Sequence, residues 1–252
     1  METTKLSQDH TDQHRFCDAA RDALYHTIFS RRGVRGQFTP EPVDEAMLSR
    51  VLMAAHYAPS VGFMQPWSFT IVRAHETKQK VHALFNKAHA EAADMFEGEK
   101  RETYRNLKLE GILEAPINIC VTCDKDRAGP VVIGRTHIPQ MDLHSTVCAV
   151  QNLWLASRAE GLGLGWVSIL DQDKLKETLG IPENVEPVAY LCLGHVSYFH
   201  DKPELQKAGW RKRLPLDELI HFEHFEQASD DPYATRLLQE MRSQQQHLEN
   251  GG

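Results

Sequence analysis

The chain has 252 residues, with 28 Lys and Arg against 35 Asp and Glu, a formal net charge of −7. That balance excludes a general nucleic-acid or membrane-surface binder, because phosphate neutralisation needs a basic face. At 41% hydrophobic and 25% charged residues the composition is that of a globular protein of one large or two small domains.

No apolar run approaches the roughly 20 residues of a membrane span. Residues 1–14 are polar and show no signal-peptide pattern. The five cysteines (Cys17, Cys120, Cys123, Cys148 and Cys192) are odd in number and scattered. A reduced, cytoplasmic setting is expected on those grounds.

Along the chain, residues 16–30 set Phe16, Ala20, Leu24 and Ile28 at helical spacing. Residues 43–58 put Val43, Met47, Val51, Ala54, Ala55 and Ala58 on one helical face, which Pro59 ends. The run from Trp67 to Val72 alternates and predicts a half-buried strand. A polar helical stretch follows over 76–114, broken near Gly98. Pro116 opens a second strand in which Ile117, Ile119 and Val121 alternate with polar partners. Residues 124–138 read as a loop, and 140–160 as a mostly apolar helix capped by Gly161. Two more strands, Leu164 to Leu170 and Val188 to Leu193, flank a short helix near 173–179. The expected layout is a flexible N-terminus over 1–15, one domain over 16–225, and a polar, partly disordered tail over 226–252.

Some constellations carry little. Cys120 and Cys123 have metal-pair spacing, but residues three apart on a strand point to opposite faces. Buried core thiols are the expectation there. The histidines form no HExxH pattern, and no metal site is expected. Gly161, Gly163 and Gly165 lie after a helix and before a strand, the reverse of a Rossmann turn. A helix cap and close backbone packing account for the first two.

Two segments are more informative. Ser30-Arg31-Arg32-Gly33-Val34-Arg35 places three guanidiniums within five residues at a helix end. Arg presents a rigid donor fork that suits phosphate and carboxylate. In Ala58-Pro59-Ser60-Val61-Gly62-Phe63-Met64-Gln65-Pro66-Trp67, a helix gives way to a hydroxyl, a glycine turn and a Gln-Pro-Trp entry into a strand. Ser60 and Gln65 there offer hydrogen bonds at a helix–strand junction.

With Gly163-Leu164-Gly165-Trp166-Val167-Ser168, these segments resemble the nitroreductase-like flavoproteins. Within them the match is to the 5,6-dimethylbenzimidazole synthase (BluB) family, from about Phe29 to Leu216. It includes Leu107-Lys108-Leu109-Glu110-Gly111-Ile112 and Gly209-Trp210-Arg211-Lys212-Arg213-Leu214-Pro215. The resemblance implies an α+β fold, a mixed sheet wrapped by helices, forming an intertwined homodimer with FMN at the subunit interface. Carried over, Arg31, Arg32 and Arg35 hold the FMN phosphate and ring edge. Ser60, Met64 and Gln65 lie along the isoalloxazine, Gly165 and Ser168 face it, and Arg211 reaches the phosphate. The stretch around 85–110 forms a lid. Reduced FMN is consumed with molecular oxygen. Its ring is fragmented, the ribityl C1′ becomes C2 of dimethylbenzimidazole, and erythrose 4-phosphate is left. A flavin reductase is the implied supplier of reduced FMN.

This chain departs from the family string Arg-Arg-Asp-Val-Arg by having Gly33 in place of the acid. Glycine has no proton to take or give, so the catalytic position is altered while the arginines stay. Either Ser168 or ordered water serves the proton transfer, or the step is slow. Two alternatives stand beside the synthase: an NAD(P)H-dependent flavin or nitro reductase, and a non-catalytic flavin-binding protein.

Overall fold

The structure, a computed structural model, describes residues 14–229 and 231–250. The expectation for the first residues therefore falls largely, and that for the last two wholly, outside the described residues. The chain divides into two compact units, Met1–Glu204 and Leu205–Gly252.

In the first unit the elements run α1 (Asp18–Ser30), α2 (Glu45–His56), β1 (Trp67–Val72), α3 (His75–Ala93), α4 (Gly98–Asn106), β2 (Ile117–Asp124), α5 (Met141–Ala159), β3 (Gly163–Val167), α6 (Gln172–Leu179) and β4 (Val185–Gly194). The four strands form one sheet in the order β1-β2-β4-β3. Every strand pair in it is antiparallel. The parallel component is a single bridge from Gly33 to Leu164, on the free edge of β3. That edge would otherwise present unpaired backbone groups.

One face of the sheet packs under α2 and α5. Val51, Ala55, Ile117, Ile119, Val121, Val150, Leu153 and Leu191 are buried there. The other face is covered by Val81 and Phe85 of α3, by Leu175 of α6 and by Ile112. β2 is thus central and buried from Ile117 to Cys123. The period-two alternation read from its sequence is real, but its second face meets protein and not water. Cys120 sits in that second core. Cys123 bonds toward Thr146 of α5 on the opposite face, so the two sulfurs diverge as strand geometry requires. Burial pushes the Cys120 and Cys192 thiols up to about 12, which leaves them inert. The β2–β4 register shifts between Val121 and Thr122, which face Ala189 and Pro187, so Val188 is the extra residue on β4, beside a proline with no N–H to give the ladder.

Boundaries follow local chemistry. Asp44 caps α2 by accepting from Ala46 N and Met47 N. Asp171 caps α6, which ends at left-handed Gly180. The polar stretch 76–114 resolves into α3 and α4, and residues 107–114 leave the helix. α5 buries Asp142, Ser145, Thr146 and Ser157 beside its apolar residues. Three hydroxyls are satisfied on its own carbonyls: Ser145 donates to Met141 O, Thr146 to Asp142 O and Ser157 to Leu153 O. By contrast α1 buries none of its residues. Its Leu24, Tyr25, Ile28 and Phe29 stay exposed.

In the second unit, a 3-10 turn (Leu216–Leu219) precedes α7 (Pro232–Glu249). The Gln-rich segment read as a tail is therefore helical over most of its length. Pro232 stands in its first turn, and Gln, Glu, Arg, Leu and Met are good helix formers. Gln245 fastens it to the turn, donating to Leu214 O and accepting from Leu216 N.

Candidate functional site

α1 ends at Arg31, whose backbone turns extended. The chain then runs along β3: Val34 N donates to Leu164 O at 3.0 Å. Two glycines make this approach possible. A Cβ on Gly165 would fall inside the Val34 carbonyl, and one on Gly163 inside the Val34 and Val196 side chains. From the other side Gly111 lets the 107–112 segment reach Arg35 O and the Phe38 ring. The arginine segment is thus clamped between two sequence-distant glycine contacts.

The three arginines end up in different surroundings. The Arg31 guanidinium carbon lies 4.6 Å from the Trp154 ring centroid. Arg32 folds back onto backbone: Nη1 donates to Phe29 O (2.7 Å) and Arg31 O (2.8 Å), and Nη2 to Asp201 O (2.6 Å). Arg35 pairs with Glu204 at 2.7 Å, both side chains about four-fifths buried. The same carboxylate accepts from Gln37 Nε2 at 3.0 Å and lies 3.0 Å from His200 Nε2. Three cations close in sequence are therefore one ring-stacked, one backbone staple and one ion-paired.

Gly33 sits between them. A Cβ there would meet only Trp154 Cζ2, at 3.8 Å. That is ordinary van der Waals contact, so a side chain fits.

The Ser60–Gln65 turn is built otherwise. Ser60 Oγ accepts from Gln65 N, and Val61 N donates to Ser145 Oγ of α5, each at 3.2 Å. Gly62, Phe63 and Gln65 all have positive φ, at 58°, 53° and 44°. For Phe63 and Gln65 that is strained backbone, of the kind that clusters at functional sites. Arg127 pins the turn from outside, donating to Gln65 O, Trp67 O and Ser68 Oγ. Gly62 and Gly134 let the 125–138 loop close over it, against Val132 and Val61.

The sequence-predicted residues thus fall into separate places. Arg31, Arg32, Gly33, Arg35 and Gly165 come together. Ser60, Met64 and Gln65 lie beside Ser145, nine positions before Trp154 on α5, which is roughly 14 Å along that helix. Two of these residues have close partners within the chain. Arg35, expected at the phosphate, pairs with Glu204. Gly165, expected to face a flavin ring, lies with Val34 O where its Cβ would stand. Ser168 is exposed just past the end of β3, so it is no core hydroxyl. Met64 is buried. Arg211 is exposed in the second unit.

Glu204, Ser145, Arg127 and Trp154 carry weight that sequence reading missed. None stands in a recognisable motif, and each acts across at least 59 positions of chain. No described helix is long and apolar enough to cross a membrane.

The chain matches the nitroreductase family model over residues 28–195. It is 41% identical over 197 residues to the 5,6-dimethylbenzimidazole synthase of Rhodobacter capsulatus, covering 78% of this chain and 95% of that relative. It is 38% identical over 200 residues to the synthase of Rhodospirillum rubrum, covering 79% of this chain and 94% of the relative. Among solved structures it shares the fold of oxidized iodotyrosine deiodinase bound to FMN and 3-iodo-L-tyrosine. The TM-score is 0.63 at 22% identity, over 80% of this chain and 100% of the other. By family match and by fold, this chain belongs to the nitroreductase family.

Proposed function

We propose that the chain is a 5,6-dimethylbenzimidazole synthase that consumes reduced FMN and molecular oxygen. The observation that carries this is identity of 38–41% extending over nearly the full length of two synthases. The residues present fit the substrate. A guanidinium on an indole face, with an open position at Gly33 and a strained polar turn, is a donor set for an anionic tail and a flat ring. When bound, reduced FMN supplies the ring and the C1′ carbon of the product, with oxygen as oxidant.

The chain's own residues hold and shield. Arg31 faces the phosphate or ring edge. Arg32 and Arg35 shape that end through Asp201 and Glu204. Ser60, Met64 and Gln65 lie along the ring, and Gly165 keeps the arginine segment close to β3. The helices around 85–110 exclude water. Ser168 holds or moves a proton, a task for which Gly33 has no group.

A second copy of the chain completes the site. The Ser60 turn and the arginine segment are far apart on α5, and α1 exposes Leu24, Tyr25, Ile28 and Phe29. Burying such side chains contributes about 1.5–3 kcal/mol each. An intertwined homodimer accounts for both features. The setting is cytoplasmic, and a separate flavin reductase supplies the reduced FMN.

Gly33 favours one rival, a non-catalytic flavin-binding protein that returns FMN intact. Loading the protein anaerobically with reduced FMN, admitting oxygen and separating the products decides between them. The synthase reading expects dimethylbenzimidazole and erythrose 4-phosphate above a protein-free control. Complete recovery of oxidised FMN contradicts it.

A further inference from the structure

The loop over 125–138 has no role in the reading above, yet it covers the strained turn. A Cβ on Gly62 would overlap Val132 Cγ1 and Ile133 O, and one on Gly134 would overlap Val61 Cγ1. Loop and turn therefore meet through a glycine on each side. The loop draws little from the core, since Val131, Ile133 and Ile138 are exposed. What it buries beside Val132 is charge. Arg135 pairs with Asp142, in the first turn of α5, at 3.4 Å, and the two side chains are only 13% and 3% exposed. Arg135 also donates to Lys125 O at 2.7 Å and to Gly129 O. One guanidinium thus closes the loop on itself and onto α5. Asp142 is fixed in turn, accepting from Leu143 N at 2.7 Å.

One turn further along α5, Ser145 accepts from Val61 N at 3.2 Å. The loop and the turn beneath it are therefore moored to the same helix end. An ion pair this deep is costly to desolvate, so stability alone is a weak reason for it. We propose that Arg135 is a positioning residue: through Asp142 it holds the 125–138 loop down on Ser60–Gln65, and that contact keeps Phe63 and Gln65 at positive φ, the form in which the turn meets its ligand. The last clause rests on the reading of this turn as the flavin side of the site.

Two readouts in the full chain test it. Hydrogen exchange needs no ligand. In Arg135→Met the amides of Val61 and Gln65, which donate to Ser145 Oγ and Ser60 Oγ, should exchange about tenfold faster, while those of Ile119 and Val121 in β2 stay as in the parent. FMN affinity, by fluorescence titration, should fall about five- to thirtyfold as the competent turn becomes a minor population. Arg135→Lys, which keeps the charge, should lose less. Adding Asp142→Asn to Arg135→Met should change affinity by less than about twofold, because the two residues act as one unit. Unchanged exchange at the turn, equal acceleration in β2, or additive losses in the double variant overturn the proposal. So does a loosened turn that binds FMN as the parent does. A parent that binds no FMN refutes the flavin reading, and exchange at the turn then still decides whether Arg135 holds the loop down. Should Arg135→Met fail to fold, the double variant leaves no lone buried charge and carries the same exchange and affinity measurements.

Discussion

The arginine segment and the Ser60 turn answer to different physics. From Arg31 to Gln37 the chain is held like a fifth strand, bonded to β3, squeezed by Gly163, Gly165 and Gly111, and tied to Asp201 and Glu204. Its backbone is relaxed and its charges are spent largely on the fold. From Ser60 to Gln65 the backbone is strained, with two non-glycine residues at positive φ, and it is held by single side-chain bonds from Ser145 and Arg127. A rigid segment and a strained, tethered turn are the pairing expected where one side anchors a ligand and the other adjusts to it.

Substitutions can break that contrast. The largest effect is expected for Gly165→Ala. Its Cβ meets backbone at Val34, so relief requires the strand and the arginine segment to separate. A cost of about 3 kcal/mol, at the upper end for overpacking, should appear in urea denaturation. Gly33→Ala, with only ordinary contact to Trp154, should stay within about 0.5 kcal/mol of the parent. Similar losses at both positions would mean that the clamp on β3 is not tight. Next comes Arg32→Ala. Losing three bonds from a guanidinium to carbonyls should cost about 2 kcal/mol. The same denaturation curve checks it, and an unchanged midpoint would return Arg32 to a purely ligand-facing role. Glu204→Gln, which leaves Arg35 without its countercharge, should cost about 1 kcal/mol. Thermal melting at low and high salt measures it.

The turn should behave in the opposite sense. Gln65→Gly relieves a positive φ at the cost of chain entropy, so stability should rise by up to about 0.5 kcal/mol. FMN affinity should fall all the same. A clear loss of stability would show that the strain at Gln65 is not stored there. Ser168→Ala, at an exposed position, should leave the melting temperature unmoved while product yield drops. Yield equal to the parent's makes the hydroxyl dispensable.

Much of this was legible in the sequence. Helical spacing gave α2 and α5, alternation gave β1, and Pro59 and Gly161 marked the ends of those two helices. What was not legible depends on distant partners. That β2 is buried on both faces follows from α3 and α6 closing the far side, which period-two alternation cannot report. That Gly165 packs against Val34 O needs the fold to be seen, because the two residues are 131 positions apart. The arginine cluster announces positive charge, yet Glu204 lies 169 positions away from Arg35. Charge pattern shows where cations stand and says nothing of which are already answered. The helix over Pro232–Glu249 was not legible for another reason: polar residues with good helix propensity look alike whether solvated or docked on a turn.

The central claim is that this site keeps its grip on flavin and is limited by the missing acid at position 33. The direct measurement is dimethylbenzimidazole formed per enzyme from reduced FMN and oxygen, in the parent and in Gly33→Asp under identical loading. Trp154 leaves room for the new side chain, and neighbouring guanidiniums keep a carboxylate there ionised. General acid–base help is worth about a hundred- to ten-thousandfold in rate, so the account predicts little product from the parent and a gain in that range from the variant, with both binding FMN alike. Equal yields from two proteins that bind FMN equally would contradict it.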